Sequence, residues 1–407
     1  MHPRHIVISG AGIAGLTAAI AFARRGFAVR ILERAAALEE VGAGLQISPN
    51  ATRILSRLGV LDIVAPLTVR PEAVVLRDAT TLKERARVPL GASAERRWKA
   101  PYLVAHRADL QSALLARANE IDSIELSLGT SVTDVQLRSD GITVSFDQNG
   151  ISSEVSASLF VAADGVWSHS RRLVGPNEKS RFSGSLAWRT TLLADSDAGR
   201  HFAAFSSPET VTTYLHGGFH LVAYPIRAAS AINLAAFTPG RAITEHWAGE
   251  TSPDALRQAM RDAAPQLAEL ADKAAPWTIW PLHTVDASRP WTAPGGIALI
   301  GDAAHAMTPF AAQGAAMAIE DAYMLADAVA SATNTAQALS RWEAARKPRV
   351  AQVARRGALN HFAWSASGPV ALARNLFLKL KSPESLAADM DWLYGWTPPG
   401  WAEDGAL

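Results

Sequence analysis

Residues 4–34 read RHIVISGAGIAGLTAAIAFARRGFAVRILER, and the order of residue types along them decides the fold. Arg4 to Ser9 is a β-rich run, a glycine turn follows at once, and Ile13 to Arg25 is an alanine-rich helical stretch. Gly26 stops that helix, and Phe27 to Leu32 is a second strand ending at Glu33. Strand, helix and strand within about 30 residues form a βαβ unit, which implies a parallel sheet. The turn Gly10-Ala11-Gly12-Ile13-Ala14-Gly15 divides its work among its glycines. Gly10 permits the tight turn, Gly12 lets a pyrophosphate reach the backbone, and Gly15 lets helix and strand pack closely. The helix start at Ile13 and Ala14 offers free N–H groups and a positive dipole end to phosphate oxygens. Glu33 stands where a carboxylate binds ribose hydroxyls, and Arg34 keeps a 2′-phosphate possible. This stretch predicts a Rossmann-like nucleotide site and does not by itself choose between FAD and NAD(P).

The 407 residues exceed what a single core readily serves, so two domains are expected. Lysine plus arginine (39) balances aspartate plus glutamate (38), a net charge of +1 that gives no footprint for nucleic acid or a membrane surface. The absence of cysteine removes disulfides, thiolate metal sites, iron–sulfur clusters and redox dithiols, and fits a cytoplasmic protein. Residues 6–23 have some signal-peptide character, but the glycine spacing and Glu33 favour the nucleotide reading. No uninterrupted apolar run reaches the ~20 residues that span a bilayer.

Further along, Pro49-Asn50 precedes a helix to about Leu58, with Asn50 as its N-cap. Glu72 to Pro89 reads as short strands, 90–100 as a charged loop, Tyr102 to Ala105 as a strand and Arg107 to Asn119 as a helix. Val132 to Val155 is a β-meander with turns at Asp140-Gly141 and Asn149-Gly150. Leu159 to Ala162 is an apolar strand, residues 180–240 are strand-like with a hairpin at Gly217-Gly218, and Thr251 to Ala271 is helical. Ile297 to Ile300 is a buried strand, and the stretch after Gln313 is helical to about Ala330. The remainder is mainly helical.

Two later motifs follow apolar strands, where open α/β sheets bind ligands. Asp164-Gly165 allows a sharp turn beside a cofactor. Gly301-Asp302-Ala303-Ala304-His305, with Pro309 and Gln313-Gly314-Ala315 opening a helix, is more telling. Asp302 is placed to accept hydrogen bonds from ribitol hydroxyls, and the helix N-terminus aims N–H groups where a reduced flavin carries negative charge.

This order of motifs resembles the single-component FAD-dependent aromatic hydroxylases, in particular the salicylate hydroxylase and 3-hydroxybenzoate 6-hydroxylase branch. The likeness extends to Gly42-Ala43-Gly44-Leu45-Gln46, His106-Arg107-Ala108-Asp109-Leu110 and Trp392-Leu393-Tyr394-Gly395. One departure is Ala312, where the family usually has glycine. The resemblance implies a p-hydroxybenzoate hydroxylase-like α/β fold: a Rossmann-like FAD-binding domain, an inserted β-sheet substrate domain and C-terminal helices. The expected division is 1–71, 101–178 and 288–332 for FAD, 72–100 and 179–287 for substrate, and 333–407 for the helical segment. It also implies bound FAD, transient NAD(P)H, O₂ and a flavin C4a-hydroperoxide. A second glycine-rich fingerprint is missing, which agrees with transient docking of NAD(P)H. By the same resemblance Arg107, Gly44, Leu45 and Val132 serve the cofactor, while Gln46 and Pro309 lie near the ring.

The substrate expectations rest on the insertion. Its hairpin carries Tyr214, His216, His220, Val222 and Tyr224, and period-two alternation puts His220, Val222 and Tyr224 on one face. A histidine or tyrosine relay would help deprotonate a phenol. Arg189 is a bidentate partner for a carboxylate. His216 and His220 share an HxxxH spacing, but Gly217-Gly218 between them argues against a metal site. The expected partners are a small aromatic substrate, O₂ and NAD(P)H, with the chain a monomer or homodimer. An N-heteroaromatic or polycyclic substrate, a flavin dehydrogenase or reductase, and a non-catalytic FAD protein are the alternatives.

Overall fold

The structure, a computed structural model, describes residues 5–38, 44–138, 141–176, 179–241, 250–251 and 253–401. Arg4, Gly42, Ala43 and Asp140 therefore lie outside the described residues. The short apolar runs of the sequence build one six-stranded sheet. In it His5–Ser9 lies between Ala28–Leu32 and Leu159–Ala162, parallel to both, and Ile297–Leu299 pairs beyond. Strands covered by helices need apolar residues on both faces, which is why they read as continuous apolar runs rather than alternating ones.

The helix Ile13–Ala23 buries all its residues except Ala14 and packs against the helix Gly314–Ala330. They meet over Gly301, where an added Cβ would come within 3.0 Å of the Ala318 methyl and 3.3 Å of the Ala14 methyl. Small side chains at this crossing let two ligand-facing loops, from opposite ends of the sequence, approach one another.

The second large sheet has eight strands, drawn from 73–89, 181–239, 250–251 and 277–284. One face packs on a core of Trp188, Tyr214, Leu221, Leu234 and Trp277. Three short helices (Asp254–Met260, Pro265–Ala268, Leu270–Lys273) contribute to that core, where the sequence suggested a single helix. Pro265 starts the second of them, consistent with the interruption. The meander 130–157 is a three-stranded sheet, as expected. Residues 92–98, anticipated as loop, form a helix that buries Ala94 and Trp98. Asn50 is not an N-cap: Ser48 holds that position, and Asn50 is fully buried in a polar network. No helix among the described residues is long and apolar enough to cross a membrane.

Candidate active site

A cavity of about 410 Å³ lies between the two large sheets. Its walls come from the glycine turn, the strand Gly44–Ile47, Tyr102 and Arg107 at the two ends of its partner strand Leu103–His106, the Asp302–Ala315 segment, and the long helix Thr335–Trp364. Of the predicted residues, Gly12, Ile13, Ala14, Gly44, Leu45, Gln46, Arg107, Gly165, Arg189, Tyr224, Asp302, Pro309, Gly314 and Ala315 line it.

The cofactor side fits an extended dinucleotide. A Cβ on Gly12 would meet nothing within 4 Å, so a side chain there would fill space open to a phosphate. Gly10 is at φ +102°, and its Cβ would lie 2.6 Å from the Ala163 carbonyl oxygen. Gly15 packs directly on Gly10, so Gly10 and Gly15 shape the turn rather than line the cavity. The Glu33 carboxylate accepts hydrogen bonds from Ala11 N–H (2.7 Å) and Ala35 N–H (2.9 Å). A carboxylate offers about four acceptor positions, so capacity for ribose hydroxyls remains. Asp164 is turned to its own loop, accepting from the Ser170 hydroxyl at 2.9 Å, and does not line the cavity. Arg171 joins that loop to the Gly301 loop by donating to the carbonyls of Val166 and Ala303. Gly301, at φ +58°, turns the chain into the short helix that begins at Asp302 and is itself outside the cavity lining. Arg34 is exposed and Val132 sits in the meander, both outside the cavity lining.

The segment at Gly44 is pinned to the sheet floor. Gly44 N–H donates to Asn233 Oδ1 at 2.7 Å, and a Cβ on Gly44 would lie 2.5 Å from Tyr224 Cε2. Tyr102 donates its hydroxyl to Gln46 Oε1 at 2.6 Å and meets Tyr394 edge-on at 5.6 Å. Burial pushes the Tyr102 phenol well above its usual range and that of Tyr394 up to about 12.

Strand register selects the floor. Thr213 pairs with Val222, Tyr224 with Asn233, and Arg189 with Ala235, and all six line the cavity. Tyr214 is one residue out of phase and faces the core behind the sheet, where burial raises its pKa to about 12. His216 sits at the hairpin end, accepting from Gly218 N–H at 3.1 Å. His220 shares the face of Val222 and Tyr224 but is enclosed by Phe237 (stacked at 4.7 Å), Phe310 and Trp364. Burial lowers its pKa to about 3, so it is neutral and a weak base. Tyr214, His216 and His220 thus lie outside the cavity lining, contrary to expectation for a relay. Burial also lowers the Arg189 pKa, opposed by the nearby Tyr224. Among the described residues Arg189 has no carboxylate partner, and it lies over the Trp280 ring at 5.6 Å.

A buried charge cluster fixes the Gly301 loop and the helix at Gly314. Asp321 accepts from Arg346 Nε (2.7 Å) and Gly301 N–H (3.1 Å) and pairs with His305 Nε2 (2.5 Å). Glu320 binds Arg346 (2.6 Å), Arg349 (2.9 Å) and Asn50 (2.7 Å), and Asn50 also donates to Gln313. His305 is thereby tied through Asp321 to the backbone of Gly301 and holds the loop.

Sequence reasoning missed Asn233, Tyr102, Arg356, Asn360 and Trp364, all in the cavity wall. Asn233 carried a signal in strand alternation opposite Tyr224; the helix residues carried none before packing was known. No cluster of metal-ligating side chains exists among the described residues.

A fold with this cavity and these loops defines a flavoprotein hydroxylase, and the comparisons agree. The sequence matches the FAD binding domain family over residues 4–357. It is 31% identical to 3-hydroxybenzoate 6-hydroxylase 1 of Aquipseudomonas alcaligenes over 97% of this chain and 98% of the relative. It is 34% identical to a 3-amino-4-hydroxybenzoate 2-monooxygenase of Streptomyces platensis over 97% and 96%. The structure of Klebsiella pneumoniae HpxO complexed with FAD and uric acid superimposes with a TM-score of 0.81, at 24% identity over 95% of each chain. The chain belongs to the FAD binding domain family, as a member of its FAD-dependent aromatic hydroxylases.

Proposed function

We propose that this chain hydroxylates a small aromatic acid of the hydroxybenzoate type, consuming NAD(P)H and O₂ and releasing NAD(P)⁺ and water. The observation that carries the substrate class is Arg189: a guanidinium facing the cavity on a largely apolar sheet floor, with no carboxylate of the described protein to neutralise it. A benzoate carboxylate supplies the missing charge in bidentate geometry. The two sequence relatives named above are a 3-hydroxybenzoate 6-hydroxylase and a 3-amino-4-hydroxybenzoate 2-monooxygenase, which supports the same reading.

Bound FAD supplies electron transfer and oxygen activation. The protein supplies position and dryness. Arg189 orients the acid, and Val74, Leu76, Val211 and Val222 hold the ring against an apolar floor. Tyr224, kept protonated by burial, donates a hydrogen bond to the ring hydroxyl. Gly12, Asp302 and the N–H groups at Gly314 would hold the cofactor, and Leu45, Gln46 and Pro309, which line the same cavity, would bound its ring. The sheets and their connecting segments divide as 1–71, 101–178 and 288–332 for cofactor, 72–100 and 179–287 for substrate, and 333–407 for the helical cover. A cytoplasmic monomer or homodimer completes the proposal.

The second reading, an N-heteroaromatic substrate, is favoured by Asn233, whose Nδ2 is buried without a partner among the described residues and whose side chain lines the cavity. The test is the absorbance spectrum of the purified holoenzyme, followed by NAD(P)H oxidation against hydroxybenzoates, hydroxypyridines and indoles. A hydroxybenzoate that stimulates oxidation and yields product labelled from ¹⁸O₂ is the expected result. Stimulation without label would instead identify a dehydrogenase or reductase.

A further inference from the structure

The inward stripe of the long helix Thr335–Trp364 carries Arg346, Arg349, Val353, Arg356, Asn360 and Trp364, at steps of three and four residues. The first two arginines are bound by carboxylates: Arg346 by Glu320 and Asp321, Arg349 by Glu320. Arg356, two turns further on, meets no carboxylate among the described residues. Among the described residues its Nε is buried without a hydrogen-bond partner, and Nη2 reaches only the Met390 sulfur at 3.4 Å. Arg356 and the two residues that follow it on the stripe, Asn360 and Trp364, line the same cavity as Arg189. The helix is held in place there, since Gly357 packs on Ala311 and Asn360 donates to the Phe310 carbonyl at 2.9 Å.

The two guanidiniums reach the cavity from different elements and have different ionisable neighbours. Arg189 comes from the sheet floor and has Tyr224 and Arg107 as its ionisable neighbours. Arg356 comes from the helical cover and stands beside Tyr394. Among the described residues Asp302 is the single acidic residue in the lining, and it belongs to the end expected to hold the cofactor. A cavity with an unneutralised cation on its floor and another on its cover selects a ligand with two separated anionic groups.

We infer that Arg356 is a second anion-binding residue of the substrate site, and that the preferred substrate is an aromatic dianion, a hydroxylated benzenedicarboxylate, held between Arg189 and Arg356. This rests on the proposed aromatic-acid reading of the cavity and narrows it.

The experiment compares acids that differ by one carboxylate: 3-hydroxybenzoate against 5-hydroxyisophthalate, and 4-hydroxybenzoate against 4-hydroxyphthalate. Dissociation constants are read from flavin absorbance changes in the FAD-loaded enzyme and checked by calorimetry. At least one dicarboxylate should bind the wild type tenfold or more tighter than its monocarboxylate partner. Arg356→Met should shrink that ratio at least tenfold and Arg356→Lys should shrink it less, whereas Arg189→Met should weaken both acids together. No preference in the wild type, or a ratio unchanged by Arg356→Met, overturns the inference. So does a rise in KM for NAD(P)H alone, which would assign Arg356 to the nicotinamide cofactor. Should both Arg356 variants fail to retain flavin, the wild-type preference decides. If neither class of acid binds the wild type, the aromatic-acid reading itself fails, an outcome distinct from tight monocarboxylate binding without discrimination.

Discussion

Asparagine in place of Asp321 removes one charge from the cluster behind the Gly301 loop and places an amide against either Arg346 or His305. Two routes give the cost. Burial would raise the Asp321 pKa, but His305 and Arg346 outweigh it and hold the carboxyl down at about 2 against an ordinary 3.8. A displacement of about two units corresponds to roughly 2–3 kcal/mol of folding stability. Removing one partner from a buried ion pair costs about 3–5 kcal/mol. The expected loss at pH 7 is therefore roughly 2–5 kcal/mol, a large part of the ~5–15 kcal/mol that holds a typical domain folded. The sign follows from the depressed folded pKa: the stabilisation is present above the unfolded carboxylate pKa and disappears as pH falls through the folded one. Urea unfolding of wild type and Asp321→Asn, at equal excess FAD because ligand shifts the midpoint, measures the gap. It should be constant from pH 7 to about 5 and shrink below that, with the ionisation part falling to about half by pH 3. A gap under about 1 kcal/mol at pH 7, or one unaltered at pH 3, would refute the reasoning.

Other variants probe the site directly. Gly44→Ala drives a methyl to 2.5 Å from Tyr224 and 2.6 Å from Asn233, so the loop must leave the floor, at roughly 1–3 kcal/mol. The purified variant should carry less flavin, and full occupancy would contradict the close approach. Asp302→Ala should weaken FAD retention by roughly 1.5–3 kcal/mol, about 10- to 150-fold, in an equilibrium titration of apoenzyme. With the pKa of His220 near 3, the kcat/KM profile of the wild type should contain no limb between pH 5 and 8 that His220→Asn abolishes. Loss of such a limb would restore His220 as the base.

The cofactor half was readable because its chemistry is local. Gly10, Gly12, Gly15 and Glu33 act within one βαβ unit, and Gly301-Asp302 follows a strand whose apolar run is unmistakable. The substrate half was readable only as far as alternation reaches: it placed Tyr224 and Val222 on the cavity face. The same rule, applied to the adjacent strand, separates Tyr214 from Thr213; the sequence reading did not use it there. The enclosure of His220 depends on Phe310 and Trp364, roughly 90 and 140 residues away, and no periodicity reports such a contact. Arg356 was hidden for the same reason. A helix stripe reveals which residues point inward but not whether they meet carboxylates or a cavity.

Ala312 lies in the left-handed region at φ +51° and lines the cavity. Holding an L-residue there costs about 1–2 kcal/mol relative to glycine. Alanine also restricts the unfolded chain, returning about 0.4–1 kcal/mol of that. Stability thus gains nothing from the methyl and gives up a little to keep it. The residue is better understood as a spacer whose value is steric: it takes one methyl's worth of room from the cavity, and a glycine there would trade selectivity of shape for a more relaxed loop.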